Sequence, residues 1–301
     1  MRKPVLLKFA APLAIPLAMI PAAIAQTAPG VPVLEPGQSL GLALDVATVP
    51  NLRDVGGYQT ASGGTVARGV AYRSDTFNPM SAEDIQKLEV LRLRNDYDLR
   101  TVTEVRAMPD ELPPGVRYHL LNVLADAKGA AAAELEALLH QPKKANAVLG
   151  GGKIEALFMQ VYREFVTLPS AKQSYRTLFQ DLANPQMAPG VFHCTTGKDR
   201  TGWAAAALLT LLGVPKETVM ADYMRTNDYT LPQFQHAIDA FVAGDGERSI
   251  ALAVLGVKPE YLDASLDEMH KRYGTIENYF DKALGIDANG QQALRKRFLN
   301  R

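Results

Sequence analysis

The sequence predicts an α/β fold, a sheet flanked by helices, and three observations lead there. Short strand-like runs alternate with a segment of helical spacing between residues 69 and 123. A short apolar run, Gly190–Cys194, feeds a glycine-containing loop and then Thr201–Leu212, which is apolar nearly all round and so reads as a buried central helix. The chain has 301 residues, 47% of them hydrophobic, enough to bury a substantial core as one large domain or two small ones.

In chain order, the first 25 residues stand apart. Arg2, Lys3 and Lys8 precede an uncharged stretch from Phe9 to Ile24, closed by Ala23-Ile24-Ala25 before Gln26, which is the order of an export signal peptide. The run is shorter than the roughly 20 residues a spanning helix needs, and Pro12, Pro16 and Pro21 interrupt it. The expectation for 1–25 is therefore export, to a periplasm or beyond, with no stable membrane insertion after cleavage. Residues 26–41 carry Gly30, Pro32, Pro36 and Gly37 and read as an extended linker, which leaves 42–301 as the folded domain.

Within that domain strands are expected at Gly69–Tyr72, Arg94–Leu99 and Val116–Val123. A helix is expected at Ala82–Leu93, opened by Ser81 and Asp84 in a pair resembling a capping box. Residues 125–153 break the alternation. Ala130–His140 is alanine-rich and reads as helix, whereas Gln141–Gly152 reads as loose chain ending in three glycines. The segment is expected to be an insertion, either a solvent-exposed connection or a lid beside the site. Leu157–Val166 and Tyr175–Leu182 have helical spacing, Gly213 and Pro215 end the buried helix, and Lys216–Arg301 is mostly amphipathic helix.

Charge and cysteine usage narrow the function. The chain has 32 basic and 32 acidic residues, so no overall field marks it for nucleic acid, and any cationic site must be local. The five histidines are scattered without metal-ligand spacing, so no metal or cofactor is expected. The one cysteine, Cys194, cannot form an internal disulfide. Nothing in the sequence fixes the oligomeric state.

Cys194 instead ends a strand, and five residues later Arg200 opens a helix. A loop wrapped in this way points successive backbone N–H groups inward as an anion nest, and the helix N-terminus adds its dipole to the same spot. Thr195, Thr196, Gly197, Lys198, Asp199, Arg200 and Thr201 would form that hollow, which suits a phosphate dianion. Arg200 offers a planar fork for two phosphate oxygens. The same field favours the thiolate form of Cys194, the nucleophile for attack on phosphorus. Thr201 lies close enough in sequence to bond the sulfur and help it leave, and His193 is either a loop-orienting residue or a buried structural one.

The stretch His193-Cys194-Thr195-Thr196-Gly197-Lys198-Asp199-Arg200-Thr201-Gly202 resembles the signature loop of the bacterial atypical tyrosine/serine phosphatases, members of the protein tyrosine phosphatase superfamily. Asn51–Gly57, Tyr72–Asp75, Asp98–Arg100, Ala221–Tyr223, Pro259–Tyr261 and Tyr273-Gly274 resemble segments of that family in the same order, over about residues 45–290. The resemblance implies a short, mostly parallel sheet flanked by helices, and metal-independent hydrolysis of phosphate monoesters through a phosphocysteine. Substrates would be phosphorylated proteins, carrying phosphotyrosine or phosphoserine/threonine, or small phosphate esters. Lys198 beside Arg200 is similar to phosphatases that also act on phosphoinositides. Asn51–Gly57 is expected to pack as a turn against the sheet rather than touch substrate.

The leaving oxygen needs a proton donor. Asp126, on the loop after the strand ending near Val123, is the favoured candidate, because an acidic residue sits on that loop in the family. Asp199 competes, being in the loop itself, although the adjacent Arg200 favours its ionised form. Three other readings stay open: an exported inositol polyphosphate phosphatase of the cysteine phytase kind, a rhodanese-type sulfurtransferase, and a non-catalytic module that binds phosphorylated ligands. With Cys194 and Arg200 both present, the sequence carries no lesion that favours the last.

Overall fold

A computed structural model describes residues 43–127, 135 and 137–300. The expected signal peptide 1–25, the linker 26–41 and most of the expected helix at 130–140 lie outside these residues. The strands are β1 (Arg53–Asp54), β2 (Thr65–Val66), β3 (Ala71–Ser74), β4 (Asn95–Asp98), β5 (Arg117–Leu120), β6 (Gly190–His193) and β7 (Leu299–Asn300). Five form the main sheet in the order β1-β3-β6-β4-β5, with β3, β6, β4 and β5 mutually parallel and only β1 antiparallel. β2 and β7 make a separate antiparallel pair. The helices used below are α1 (Ala82–Val90), α2 (Val102–Ala107), α3 (Pro142–Leu149), α4 (Lys153–Thr167), α5 (Pro169–Ala183), α6 (Arg200–Leu211), α7 (Lys216–Met224) and α8 (Pro259–Tyr273). The architecture is the expected α/β one, a mostly parallel sheet flanked by helices. No helix among the described residues is long and apolar enough to cross a membrane.

Alternation along the strands sorts the core onto two faces. Tyr72 and Val191 point into a smaller cluster with Val49, Leu52, Phe77 and Leu88 of α1. Ala71 and Phe192 point the other way, into the large core with α4, α5 and α6. α6 is the centre of that core: eleven of its twelve residues are buried, and Ala204 to Ala207 let neighbouring elements approach closely. The parallel register aligns Ser74, His193 and Asp98 at one level. The residues that follow each of them therefore emerge together at the carboxyl edge of the sheet, where open α/β folds carry their sites.

Several expectations need correction, beginning with the helix expected over Ala82–Leu93, which ends at Val90 as Arg92 turns to a φ of +50°. The first strand runs Ala71–Ser74 rather than Gly69–Tyr72, because Arg73 and Ser74, polar and yet buried, continue it. The strand expected over Val116–Val123 stops at Leu120; it is the sheet's edge and largely exposed, so no alternation of buried residues marks its end. Gln141–Gly152 is not loose chain. Pro142 opens α3, whose Ala145 and Leu149 are buried, and Asn146 donates to the Asp245 carbonyl at 2.7 Å and accepts from the Glu247 N–H at 2.8 Å. Gly152, at φ +82°, then turns the chain into α4. The capping pair at α1 is half as expected: Ser81 accepts from the Asp84 N–H, but the Asp84 carboxylate turns to Thr48 instead.

Candidate active site

β6 delivers Cys194, 1% exposed, to the carboxyl edge of the sheet, and α6 begins at Arg200. The intervening loop is shaped from outside. The Cys194 carbonyl faces His193 Nδ1 at 3.3 Å, the Thr195 carbonyl accepts from the Thr76 N–H at 3.2 Å, the Thr196 carbonyl from Asn51 Nδ2 at 2.9 Å, and the Gly197 carbonyl from an Arg73 guanidinium N–H at 2.9 Å. Four consecutive carbonyls are thus tied to the scaffold. No protein acceptor among the described residues takes the N–H groups of Thr195 to Asp199. An arc of unpaired donors at a helix N-terminus is an anion nest. Gly197 makes the wrap possible: its φ is +66°, and a Cβ there would sit 2.3 Å from the Ser74 carbonyl oxygen.

The donors that hold these carbonyls are themselves buried and paired. Asp222 of α7 lies between Arg53 Nε at 3.1 Å and an Arg73 guanidinium nitrogen at 2.6 Å, and accepts from Tyr58 Oη at 2.7 Å. Burial pushes the Asp222 carboxyl up, but the two guanidinium charges outweigh it and hold the group well below the usual carboxylate range. Arg53 also donates to the Asn51 side chain, fixing the amide that reaches Thr196. The segments Asn51–Gly57, Tyr72–Asp75 and Ala221–Tyr223 are therefore one device. The first of them, expected as a turn packed on the sheet, instead contributes the edge strand β1, and together their side chains bond the loop and one another.

Arg200 is already oriented. Its two terminal nitrogens donate to Glu104 at 2.8 and 2.7 Å, and Thr195 Oγ1 donates to the same carboxylate at 2.6 Å. Burial again pushes Glu104 up, and the Arg200 fork with Thr195 overcomes it, leaving the carboxyl far below its ordinary range. Glu104 is placed by a capping box at the start of α2, in which Thr101 and Glu104 bond each other reciprocally. Sequence reasoning missed Glu104. The available signal was the Thr101-x-x-Glu104 spacing just after Asp98-Leu99-Arg100.

The other expected residues divide. Asp199 is in the loop, accepting from Tyr162 Oη of α4 at 2.8 Å and paired with Lys198 Nζ at 3.0 Å. Lys198 also lies over the Phe158 ring, 4.7 Å from its centroid, and is 5% exposed. Thr201 Oγ1 is buried and has no hydrogen-bond partner among the described residues, a group in want of an acceptor. Asp126 is exposed and sits elsewhere in the bonding scheme: its carboxylate accepts the Ser170 N–H at 2.7 Å at the start of α5, and its own N–H donates to Ser170 Oγ at 3.2 Å. That is helix capping.

The scattered histidines of the sequence prove not to be isolated in space. His193 Nε2 lies 3.2 Å from Asp96 and 3.5 Å from Asp110, and ligand atoms of the three lie within 4.8 Å of one another. As metal ligands they fit poorly. Asp110 already spends one oxygen on Thr76 Oγ1 and the Phe77 N–H and the other on Arg100.

Residues 44–300 match the model of the tyrosine phosphatase family. Among curated relatives, a Cupriavidus necator protein provisionally named a tyrosine-protein phosphatase is 32% identical, over 82% of this chain and 85% of its own. The triple specificity protein phosphatase PtpB of Mycobacterium tuberculosis is 28% identical, over 77% of this chain and 91% of its own. A tyrosine-protein phosphatase of Nostoc commune is 26% identical, over 75% and 72%.

Proposed function

The chain belongs to the tyrosine phosphatase family and is a phosphatase, a phosphoric monoester hydrolase, and we propose that it works through a phosphocysteine on Cys194. The observation that carries this reading is the set of four loop carbonyls tied outward, which leaves consecutive N–H groups free for three phosphate oxygens. In the first step the Cys194 thiolate attacks phosphorus, the bond to the ester oxygen breaks, and that oxygen takes a proton from a carboxylic acid. In the second, water attacks phosphorus, its proton passes to the same carboxylate, and the sulfur leaves as thiolate with the Thr201 hydroxyl donating to it. Arg200, held in plane by Glu104, binds two of the equatorial oxygens.

For the acid, Asp199 is the better assignment. It is carried by the loop to the phosphate, whereas Asp126 is committed to the start of α5. Comparing Asp199→Asn with Asp126→Asn on an aryl and an alkyl phosphate tests this. The Asp199 variant should lose about 10² or more on the alkyl ester and much less on the aryl one, and the Asp126 variant should show no such split. The reverse pattern would return the role to Asp126. The phosphocysteine itself is tested by Cys194→Ser, which should abolish turnover of an aryl phosphate while keeping its binding. Turnover absent from the wild type as well would mean a binding module.

The preferred substrate class is phosphotyrosine, a reading supported by the tyrosine phosphatase names of the family and of its relatives. Phosphoserine and phosphothreonine follow from the resemblance to tyrosine/serine phosphatases, and phosphoinositides from Lys198. Its charge is presently shared with Asp199, and a substrate with a second anionic group would compete for it. Lys198→Ala should lower phosphoinositide turnover relative to phosphotyrosine turnover, and an unchanged ratio would remove the lipid reading. The export of the chain proposed from residues 1–25 would put these substrates outside the cytoplasm.

A further inference from the structure

Beneath the nucleophile lies a buried charge cluster that the chemistry above does not use. Asp96 and Asp98 project from one face of β4, Asp110 follows α2, and all three are at most 1% exposed in their side chains. Arg100 binds two of them, Asp98 at 2.7 Å and Asp110 at 2.5 Å. Asp96 has no hydrogen-bond donor of good geometry among the described residues, and its one near neighbour of opposite potential charge is His193 Nε2, at 3.2 Å. Three buried carboxylates against one guanidinium leave the cluster short of a cation. The opposite edge of the same imidazole, Nδ1, faces the Cys194 carbonyl at 3.3 Å. A neutral imidazole carries one N–H and can serve only one of these two acceptors; the imidazolium carries two.

We propose that Asp96 is a positioning residue that holds His193 as an imidazolium, so that the ring donates both to Asp96 and to the carbonyl of Cys194. The ring then anchors the first of the four outward carbonyls and sets a full positive charge beside the nucleophile's own peptide, where it favours the thiolate. Burial opposes this by pushing the imidazole toward neutrality, but the charge and contact of Asp96, reinforced by Asp110 and Asp98, carry its pKa up to about 10. Asp75 also acts on the ring through space, and Phe77 packs its edge against it at 5.4 Å. The inference rests on the thiolate reading of Cys194 only in its last step; the protonation of His193 stands or falls separately.

Nitrogen-15 NMR of the full chain, with His193 assigned by loss of its signal in His193→Gln, reads that protonation directly. In the wild type His193 should keep both ring protons from about pH 6 to about pH 9, well above the pH near 6.5 at which an imidazole free in water gives up one of them. In Asp96→Asn it should become neutral at least tenfold more readily, and iodoacetamide should alkylate Cys194 about tenfold more slowly at pH 6, with KM for an aryl phosphate changed by less than about threefold. A singly protonated His193 in the wild type at pH 7 overturns the proposal, and that measurement needs no variant to fold. A folded Asp96→Asn whose His193 stays doubly protonated also overturns it. A neutral His193 with unchanged alkylation would sever the ring from the nucleophile and leave the phosphocysteine reading to its own test.

Discussion

At the scale of single residues, Arg200, the arginine proposed to bind phosphate, is already aligned by its neighbours. The Glu104 carboxylate takes both terminal nitrogens of Arg200 and the Thr195 hydroxyl, so three donors converge on one 21% exposed side chain. Holding the fork in place removes the cost of freezing a long flexible side chain during the reaction. Glu104→Gln keeps one acceptor oxygen and loses the charge, so Arg200 should sample other rotamers. The expected result is a fall of about tenfold to a hundredfold in kcat/KM on an aryl phosphate, borne mainly by kcat, together with a lowered melting temperature, because the ionised Glu104 also balances the buried Arg200. Steady-state kinetics beside a thermal melt check it, and a kcat/KM within about twofold of wild type would show that Glu104 does not set the fork.

At the scale of elements, α4 governs the two charged residues that are least fixed by the loop backbone. Phe158 and Tyr162, one turn apart on α4, support Lys198 and Asp199 respectively. Burial, with the nearby Asp199, keeps the Tyr162 phenol protonated, so it acts as a donor to the carboxylate. Tyr162→Phe removes that donor and little volume. If Asp199 is the acid, the variant should move the alkaline limb of the kcat profile to higher pH, because a carboxylate that loses a hydrogen bond to its charged form is easier to protonate and stays a proton donor further up the scale. A pH–rate series on an alkyl phosphate would show the shift, and superimposable profiles would sever Tyr162 from the acid.

The same scale explains what the sequence disclosed. Strand β6, the loop and α6 were legible because an apolar strand, a glycine and an apolar helix follow one another without interruption. The nest residues Thr195 to Thr201 could be named for the same reason. Glu104, Asn51, Arg73 and Asp222 reach the loop or its supports from 91 to 149 residues away or through the buried Arg53 bonds, a pairing that no local spacing encodes. α3 was hidden because its exposed face mixes Lys143 and Lys144 with Ala147 and Val148, and its two buried contacts, Ala145 and Leu149, are too few for a periodic signal. For Asp126, position on a loop says nothing of which way a carboxylate turns, and here it accepts from the Ser170 N–H.

For the molecule as a whole, the loop's supports are also the joint between the sheet and the helical half. Arg53 and Arg73 come from the sheet's β1 and β3, Asp222 from α7, and all three are buried. Removing the carboxylate strands two guanidinium charges in a dry interior, so Asp222→Asn should cost about 3–5 kcal/mol near neutral pH, or roughly 10 °C in melting temperature. The sign of the pH dependence follows from the direction of the shift. The folded Asp222 holds its proton less tightly than the unfolded one, so its contribution is complete above the ordinary aspartate value near pH 4 and fades as acid is added below it. The asparagine variant has no such proton to take up. The gap in melting temperature between wild type and Asp222→Asn should therefore be widest above about pH 5 and narrow steadily toward pH 2. Glu104, also depressed, weakens both proteins alike over the same range and cancels from the difference. A gap that stays constant from pH 6 to about pH 2.5 would mean that the Asp222 charge does not hold the joint, and that shape alone fits Arg53 and Arg73 around it.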